Sequence, residues 1–373
     1  MAVNTHAIVS RPLKPEEWLE TFRSEYLQDF VVHGGSTVRF LSGGPSSLLK
    51  VSEGVRELAS RSGFRYLHLD AGRLTDQEKR PDFHRLENLL FAITREIDWP
   101  AVARRLVVEA LAERGVRFPE GAALNDLEAV ALFNGRDSED LVHEYQRLVT
   151  ERILRDRRMA RDFRVAVAAL SRAQVLPDEM TPTTEEVLLG WLKGSQPAGS
   201  ASALKRISIH EKINRSNARF VLISLCQWLR AVGEPGFVIV FDFRAYEKVK
   251  RSRSQVDAEQ NERLREAVRL GASTQEMDRI ISSASDEFTG VTYSQSAYLQ
   301  ALELLRHLID GIEQLPGLSL VVLASPRFFE DRQATGKERR FTDYNALQTR
   351  IGLEVHDAER QNPSAALVHL EGL

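Results

Sequence analysis

The sequence contains a single cysteine, Cys226, among 373 residues. One cysteine excludes an internal disulfide and a zinc site built from several cysteines, and it fits the reducing cytoplasm. Cys226 lies within the apolar run F-V-L-I-S-L-C-Q-W-L. The sequence therefore predicts a buried thiol that packs as a small hydrophobic side chain.

Long apolar runs and an excess of one charge are also missing. No segment approaches the roughly 18 apolar residues of a membrane span, and residues 1–10 lack the charged and apolar blocks of a signal peptide. We therefore expect a cytoplasmic protein without membrane contact. The formal net charge of −3 provides no global positive field for nucleic acid. H-E-x-x-H does not occur and the nine histidines are scattered, so we expect no metal site. G-x-S-x-G does not occur either, so we expect no serine nucleophile elbow.

The stretch V-R-F-L-S-G-G-P-S-S-L-L-K-V-S at 38–52 carries the first functional signal. It predicts a strand, a turn at Gly43-Gly44 and a helix from about Leu48, which is the order of a phosphate-binding P-loop. With Gly44 as the first glycine of G-x-x-x-x-G-K-[ST], Lys50 is the phosphate lysine. The candidate nucleotide-binding residues are Gly43, Gly44, Ser46, Ser47 and Lys50. The alternative is an ordinary strand–helix turn with a chance lysine.

Two positions of this motif are altered. Leu49 replaces the second glycine, where a conformation with φ > 0 would penalise leucine. Val51 replaces the hydroxyl residue that would bind Mg²⁺. We expect both side chains to pack against the sheet, and we expect no firm Mg²⁺ site. The cofactor prediction is therefore none, or ATP or ADP without Mg²⁺.

Two later stretches predict buried parallel strands with polar ends. F-V-I-V-F-D at 237–242 resembles a Walker B strand that ends in Asp242, but Phe243 stands where a water-orienting glutamate is usual. L-S-L-V-V-L-A-S at 318–325 ends in Ser325, at the sensor position of AAA-type ATPases. Asp242 and Ser325 are the candidate catalytic residues of a degenerate site.

Between the first strands and the Asp242 strand the pattern is almost wholly helical, including one long charged helix over 138–173. We therefore predict an α/β fold with an AAA-like P-loop NTPase core, a parallel sheet flanked by helices, and a helical insertion. The predicted division is 1–97 for the first part of the core, 98–195 for the insertion and 196–373 for the second part of the core.

Several stretches together are similar to one ATPase family. They are W-L-K-G at 191–194, N-A-R at 217–219, G-F-V-I-V-F-D at 236–242, A-Y-L-Q-A-L-E-L-L-R-H-L-I-D at 297–310, V-V-L-A-S-P-R-F-F-E-D at 321–331 and Y-N-A-L-Q-T-R-I at 344–351. The chain resembles the P-loop ATP-binding proteins of bacterial BREX-type phage-defence systems over roughly 35–95 and 185–355. This resemblance implies an ATP-binding core and antiviral work within a multi-protein system.

The resemblance and the altered positions lead to three hypotheses. The first is a catalytically degenerate structural or regulatory subunit, because Leu49, Val51 and Phe243 remove groups that serve one chemical centre. The second is an active ATPase with displaced ligands such as Ser52 and Glu247. The third is a DNA-binding module that uses the arginines at 152–164 or 250–253, although such a charge run is more often a solvated helix face.

The partners follow from the first hypothesis. We expect other subunits of the defence system, including an ATPase, with a homo-oligomer as a further option and DNA reached through those partners. The candidates for an arginine finger that acts on a neighbouring subunit are Arg327, Arg332, Arg339 and Arg340. The alternative is a solvated basic loop.

Overall fold

A computed structural model describes residues 12–372, except 76–77, 121–122, 124, 198, 250–261, 263, 271–272, 274–290, 327–345, 348 and 354–363. Its sheet has six strands: β1 (Thr37–Ser42), β2 (Arg65–Asp70), β3 (Phe237–Asp242), β4 (Leu318–Ala324), β5 (Gly352–Leu353) and β6 (Ala365–His369). All strand pairs are parallel, in the order β2-β3-β4-β1-β6-β5.

Helices surround this sheet. They are α1 (Pro15–Thr21), α2 (Pro45–Arg61), α3 (Leu86–Arg95), α4 (Trp99–Ala112), α5 (Leu127–Phe133), α6 (Ser138–Val149), α7 (Arg161–Val175), α8 (Pro182–Lys193), α9 (Ser200–Arg206), α10 (Ala218–Ala231), α11 (Arg244–Glu247) and α12 (Gln295–Asp310). Two π-helical segments, Phe22–Val31 and Thr150–Leu154, continue α1 and α6. No helix among the described residues is long and apolar enough to cross a membrane.

The sheet is buried on both faces because its central strands carry apolar residues at successive positions. Leu41, Val240 and Val321 face α1, the first π-helical segment and α2. The neighbouring residues along each strand, such as Phe40 and Phe241, point to the other face of the sheet. There they join the larger apolar cluster, which contains α4, α7, α10 and α12. The expected parallel α/β sheet flanked by helices is therefore confirmed.

The helices between β2 and β3 join this larger cluster through aromatic rings. Trp99 of α4 stacks on Trp228 of α10 with a centroid distance of 5.5 Å, and Phe163 of α7 meets the edge of Trp228 at 6.1 Å. Cys226 of α10 is also buried, and burial raises the pKa of its thiol to about 12. The boundaries at residues 97 and 195 stay a prediction.

The prediction of a single long helix over 138–173 is wrong. The chain leaves the helix after Leu154 and resumes it as α7 at Arg161. At the break, the Asp156 carboxylate accepts the backbone N–H of Arg158 at 3.0 Å, and Met159 is buried. A short acidic side chain that captures a nearby backbone N–H competes with the helical hydrogen bond and allows the turn.

Candidate functional site

The carboxyl ends of parallel strands lie at one edge of the sheet, so the polar residues that end them meet there. Asp70 of β2 is in register with Asp242 of β3. β4, which leads to Ser325, pairs with β3 on one side and with β1 on the other. The strand that leads to Ser325 therefore lies beside the strand that ends in Asp242.

The connection from β1 to α2 consists of Gly43 and Gly44 alone, because α2 begins at Pro45 rather than near Leu48. Gly44 has φ −66° and caps the helix without a left-handed conformation. A Cβ on Gly43 would lie 3.0 Å from the Cβ of Leu370. The first glycines thus form a short turn against the segment that follows β6.

The serines of the motif lie in the first turn of α2. Ser46 is exposed, whereas Ser47 is buried and its hydroxyl donates to the carbonyl oxygen of Glu371 at 2.7 Å. Leu370 also donates its backbone N–H to the carbonyl of Ser42 at 2.8 Å. The backbone that follows β6 therefore takes the one hydroxyl proton that Ser47 can donate.

Lys50 lies in the second turn of α2 and forms an ion pair with Glu16 of α1. The hydrogen bond from Lys50 lowers the pKa of the Glu16 carboxyl. Both side chains reach solvent, so water and salt screen this pair and it adds little to the stability of the fold. The phosphate candidate Lys50 thus has an acidic partner within the chain.

The two replaced positions differ in their surroundings. Val51 is buried against the sheet as expected, but the expectation for Leu49 is wrong, because its side chain is 62% exposed. Leu49 lies on the outer side of α2, away from the face that Leu48 and Val51 bury. Ser52, the displaced hydroxyl of the active-ATPase hypothesis, is buried within this same helix.

Asp242 is 6% exposed, and both of its carboxylate oxygens contact Arg244. The Nε of Arg244 donates to Oδ1 at 2.9 Å, and the backbone N–H of Arg244 approaches the same oxygen at 3.2 Å. The Asp242 carboxylate, helped by Asp70 and Glu247, raises the pKa of the Arg244 guanidinium. A bidentate guanidinium, rather than open space, therefore faces the Walker B-like acid.

Phe243 follows Asp242 and points into the core. It is fully buried, and its ring lies 5.9 Å from Phe241 and 5.4 Å from Tyr246 by centroid distance. An aromatic ring at this position does not supply the proton-accepting group that orients water in phosphoryl transfer.

Glu247 and Ser325 are brought together at the same edge. The Glu247 carboxylate accepts the backbone N–H of Ser325 at 2.8 Å and is also hydrogen bonded to its hydroxyl. The displaced glutamate and the sensor-like serine of the sequence prediction are therefore partners of each other.

Arg244 is the residue of this edge that sequence reasoning missed. The available signal was the spacing D-F-R, which places an arginine two residues after a carboxylate at a strand end. The four arginine-finger candidates Arg327, Arg332, Arg339 and Arg340 lie outside the described residues. Within the described residues, no group of three or more His, Cys, Asp or Glu side chains is arranged to hold a metal ion.

The arginines at 152–164 are mostly engaged within the chain. Arg152 pairs with Glu113, Arg158 with Asp156 and Arg161 with Asp162. The second arginine group, at 250–253, lies outside the described residues.

The parallel sheet flanked by helices is that of an α/β protein with a P-loop NTPase-like fold. Within this class, the model of the BREX system ATP-binding protein BrxC/D family matches residues 124–269. The predicted resemblance to that family is confirmed, and the match includes much of the helical block, for which no resemblance was predicted. No curated protein and no solved structure matches the chain.

Proposed function

We propose that the chain is a catalytically degenerate P-loop ATPase-like subunit of a BREX phage-defence system, with a structural or regulatory role. One observation carries this proposal: the Walker B-like Asp242 is closed by Arg244. A Mg²⁺ ion needs oxygen ligands with free lone pairs. The fit to Mg-nucleotide is poor because the guanidinium occupies both oxygens of Asp242 and Val51 offers no hydroxyl.

The surroundings of Lys50 support the same proposal. Glu16 competes with any phosphate for the Lys50 ammonium. The short turn at Gly43 and Gly44 leaves few backbone N–H groups before α2 begins, and those groups are what a phosphate-binding loop provides. An active site with Ser52 and Glu247 as displaced ligands is less favoured, because Ser52 is buried and Glu247 binds Ser325.

The first prediction concerns nucleotide turnover. Purified protein with saturating Mg-ATP is expected to release phosphate no faster than the Lys50→Ala variant. Arg244→Ala, which frees Asp242, is expected to leave the rate at this background, because Val51 and Phe243 still lack the required groups. A phosphate-release assay measures all three proteins under one condition.

Thermal unfolding provides an independent check on binding. A ligand present at 100 times its Kd stabilises the native state by about 2.7 kcal/mol, which corresponds to several degrees in Tm. We expect no Tm increase that rises with Mg-ATP concentration. Turnover above the Lys50→Ala background, or a concentration-dependent Tm increase, would refute the proposal.

The second prediction concerns partners. We propose that the chain associates with itself or with an active ATPase of the same defence system, and that it supplies an arginine to the neighbouring nucleotide. An arginine finger accelerates phosphoryl transfer by roughly 10³–10⁵-fold. Phosphate release by the partner ATPase is expected to rise on mixing and to fall with Arg327→Ala, Arg332→Ala or the Arg339→Ala/Arg340→Ala double variant. If every variant raises phosphate release by the partner as much as the original chain does, and sedimentation shows only monomer, the arginine-finger role is wrong.

A further inference from the structure

A strongly basic surface lies among the helices between β2 and β3. It is formed by two segments, 152–164 and 205–219, which together hold eleven Lys or Arg residues and three Asp or Glu residues. The whole chain has a formal net charge of −3. These two segments, which we call the basic surface, therefore carry a formal charge of +8, eleven basic minus three acidic residues, in a chain that is negative overall.

The fold joins the two segments directly. The Asp162 carboxylate at the start of α7 accepts the backbone N–H groups of His210 and Glu211 at 3.0 and 3.1 Å. The Ser224 hydroxyl of α10 accepts the backbone N–H of Ala160 at 2.7 Å. Segments that are roughly 50 residues apart in sequence are thus held against each other.

Eight of the eleven basic residues of the basic surface are exposed to solvent. Its exposed basic residues are Arg155, Arg157, Arg158, Arg161, Lys205, Arg206, Lys212 and Arg215. Two of them pair with the short acids Asp156 and Asp162. The side chains of Arg158 and Arg161 are 68% and 57% exposed, and a guanidinium has five N–H donors, so each keeps donors for a phosphate beyond its ion pair. Because arginine predominates, the surface offers planar groups that bind phosphate oxygens in a bidentate manner.

An exposed aromatic ring lies beside these charges. Phe220, in the first turn of α10, is 60% exposed. It lies on the same helix face as Ser224, whose hydroxyl donates to the Phe220 carbonyl at 2.6 Å and contacts Ala160. Phe220 therefore lies one helical turn before the residue of α10 that holds the turn with Arg157 and Arg161. Exposed aromatic rings within a positively charged surface provide stacking platforms for unpaired bases.

We propose that the basic surface binds single-stranded nucleic acid, with its arginines on successive phosphates and one unpaired base stacked on Phe220. A single strand is favoured over a duplex because the base faces of a duplex are already stacked inside the helix and do not reach a surface phenylalanine. This binding is independent of nucleotide turnover at the Asp242 edge.

The charge component is tested by salt dependence. A labelled single-stranded DNA of about 20 nucleotides, longer than a typical site, is titrated with the full chain and followed by fluorescence anisotropy between about 50 and 200 mM NaCl. Arg157→Gln/Arg215→Gln is expected to weaken binding and to reduce the slope of log K against log salt by roughly 1.4, since each phosphate contact contributes about 0.7. The matched control, Arg56→Gln/Arg61→Gln on α2, removes the same charge from the other face of the sheet and is expected to change the affinity less than twofold.

The stacking component is tested with Phe220→Ala. Loss of one base–aromatic stack is expected to reduce single-strand affinity by roughly 5- to 150-fold with the salt slope unchanged. Phe133→Ala on α5 is the matched control, because Phe133 is also a phenylalanine that is 60% exposed. Thermal unfolding of each variant verifies that the fold is retained.

Four outcomes would overturn the proposal. They are no binding at 50 mM NaCl, duplex DNA bound as tightly as the single strand, an unchanged affinity for Phe220→Ala, and equal competition by an acidic polypeptide such as polyglutamate. The last result would assign the basic surface to an acidic protein partner.

Discussion

Replacing Trp228 with alanine is expected to lower the free energy of unfolding by about 3–5 kcal/mol, as for other fully buried large aromatic residues. Trp228 is fully buried on α10, where it stacks on Trp99 and meets the edge of Phe163. Alanine would remove the ring that joins α4 and α7 to α10. The resulting cavity lies between well-packed helices that are unable to close it completely.

Urea denaturation followed by circular dichroism measures this change. Trp228→Phe is the conservative control, and it is expected to cost clearly less than alanine because it keeps an aromatic ring in the stack. The indole N–H of Trp228 has no hydrogen-bond partner among the described residues, so phenylalanine removes no polar contact seen there. Phe220→Ala on the same helix is a second control, with an expected effect within about 0.5 kcal/mol. A Trp228→Ala cost close to that of the exposed control would contradict the packing described for α10.

Replacing Gly236 with alanine is expected to cost about 4 kcal/mol or to prevent folding. Gly236 precedes β3 with φ +136°, and an added Cβ would lie 2.0 Å from the carbonyl oxygen of Gly317. The same oxygen accepts the backbone N–H of Phe237 at 2.9 Å. Backbone strain of about 1–3 kcal/mol therefore adds to the loss of a buried hydrogen bond, worth about 1–3 kcal/mol.

Gly115→Ala separates the cost of the backbone conformation from the cost of the close contact between the added Cβ and a neighbouring oxygen. Gly115 also has a positive φ, +78°, but no heavy atom lies within 4 Å of the position of its added Cβ. Its alanine variant is expected to cost about 1–2 kcal/mol from backbone conformation alone. Thermal melting compares the Gly236→Ala and Gly115→Ala variants. Where a variant fails to fold, the yield of soluble protein is the readout. Equal effects at both positions would mean that the approach of Gly236 to Gly317 does not limit stability.

The architecture was predictable because its signals are local. Buried strands such as Phe237–Asp242 show as apolar runs with a polar end, and amphipathic helices such as α12 show as repeats in apolar spacing. The parallel sheet follows from the alternation of these elements. Helix boundaries were less accurate where one side chain decides them, as Asp156 does between α6 and α7.

The candidate site was predictable only as a set of positions. The sequence placed Lys50, Asp242 and Ser325 at strand and helix ends, but not the groups that contact them. Lys50 pairs with a residue 34 positions away, and Ser325 with one 78 positions away. Periodicity within one element carries no information about such pairs, since they depend on how elements pack. The exposure of Leu49 has a different cause: α2 begins at Pro45, and Leu49 falls outside the helix face that Leu48 and Val51 bury.

The strand order also affects when the sheet can form during synthesis. Phe40 of β1 pairs with Val322 on one side and with Leu367 on the other, so β1 waits for partners that emerge roughly 280 and 330 residues later. At about 5–20 residues per second, this delay lasts on the order of tens of seconds. The helices between β2 and β3 contact one another over shorter separations and are free to pack first. On the ribosome, an apolar central strand therefore remains unpaired through most of translation, and this interval is when the nascent chain most needs a chaperone.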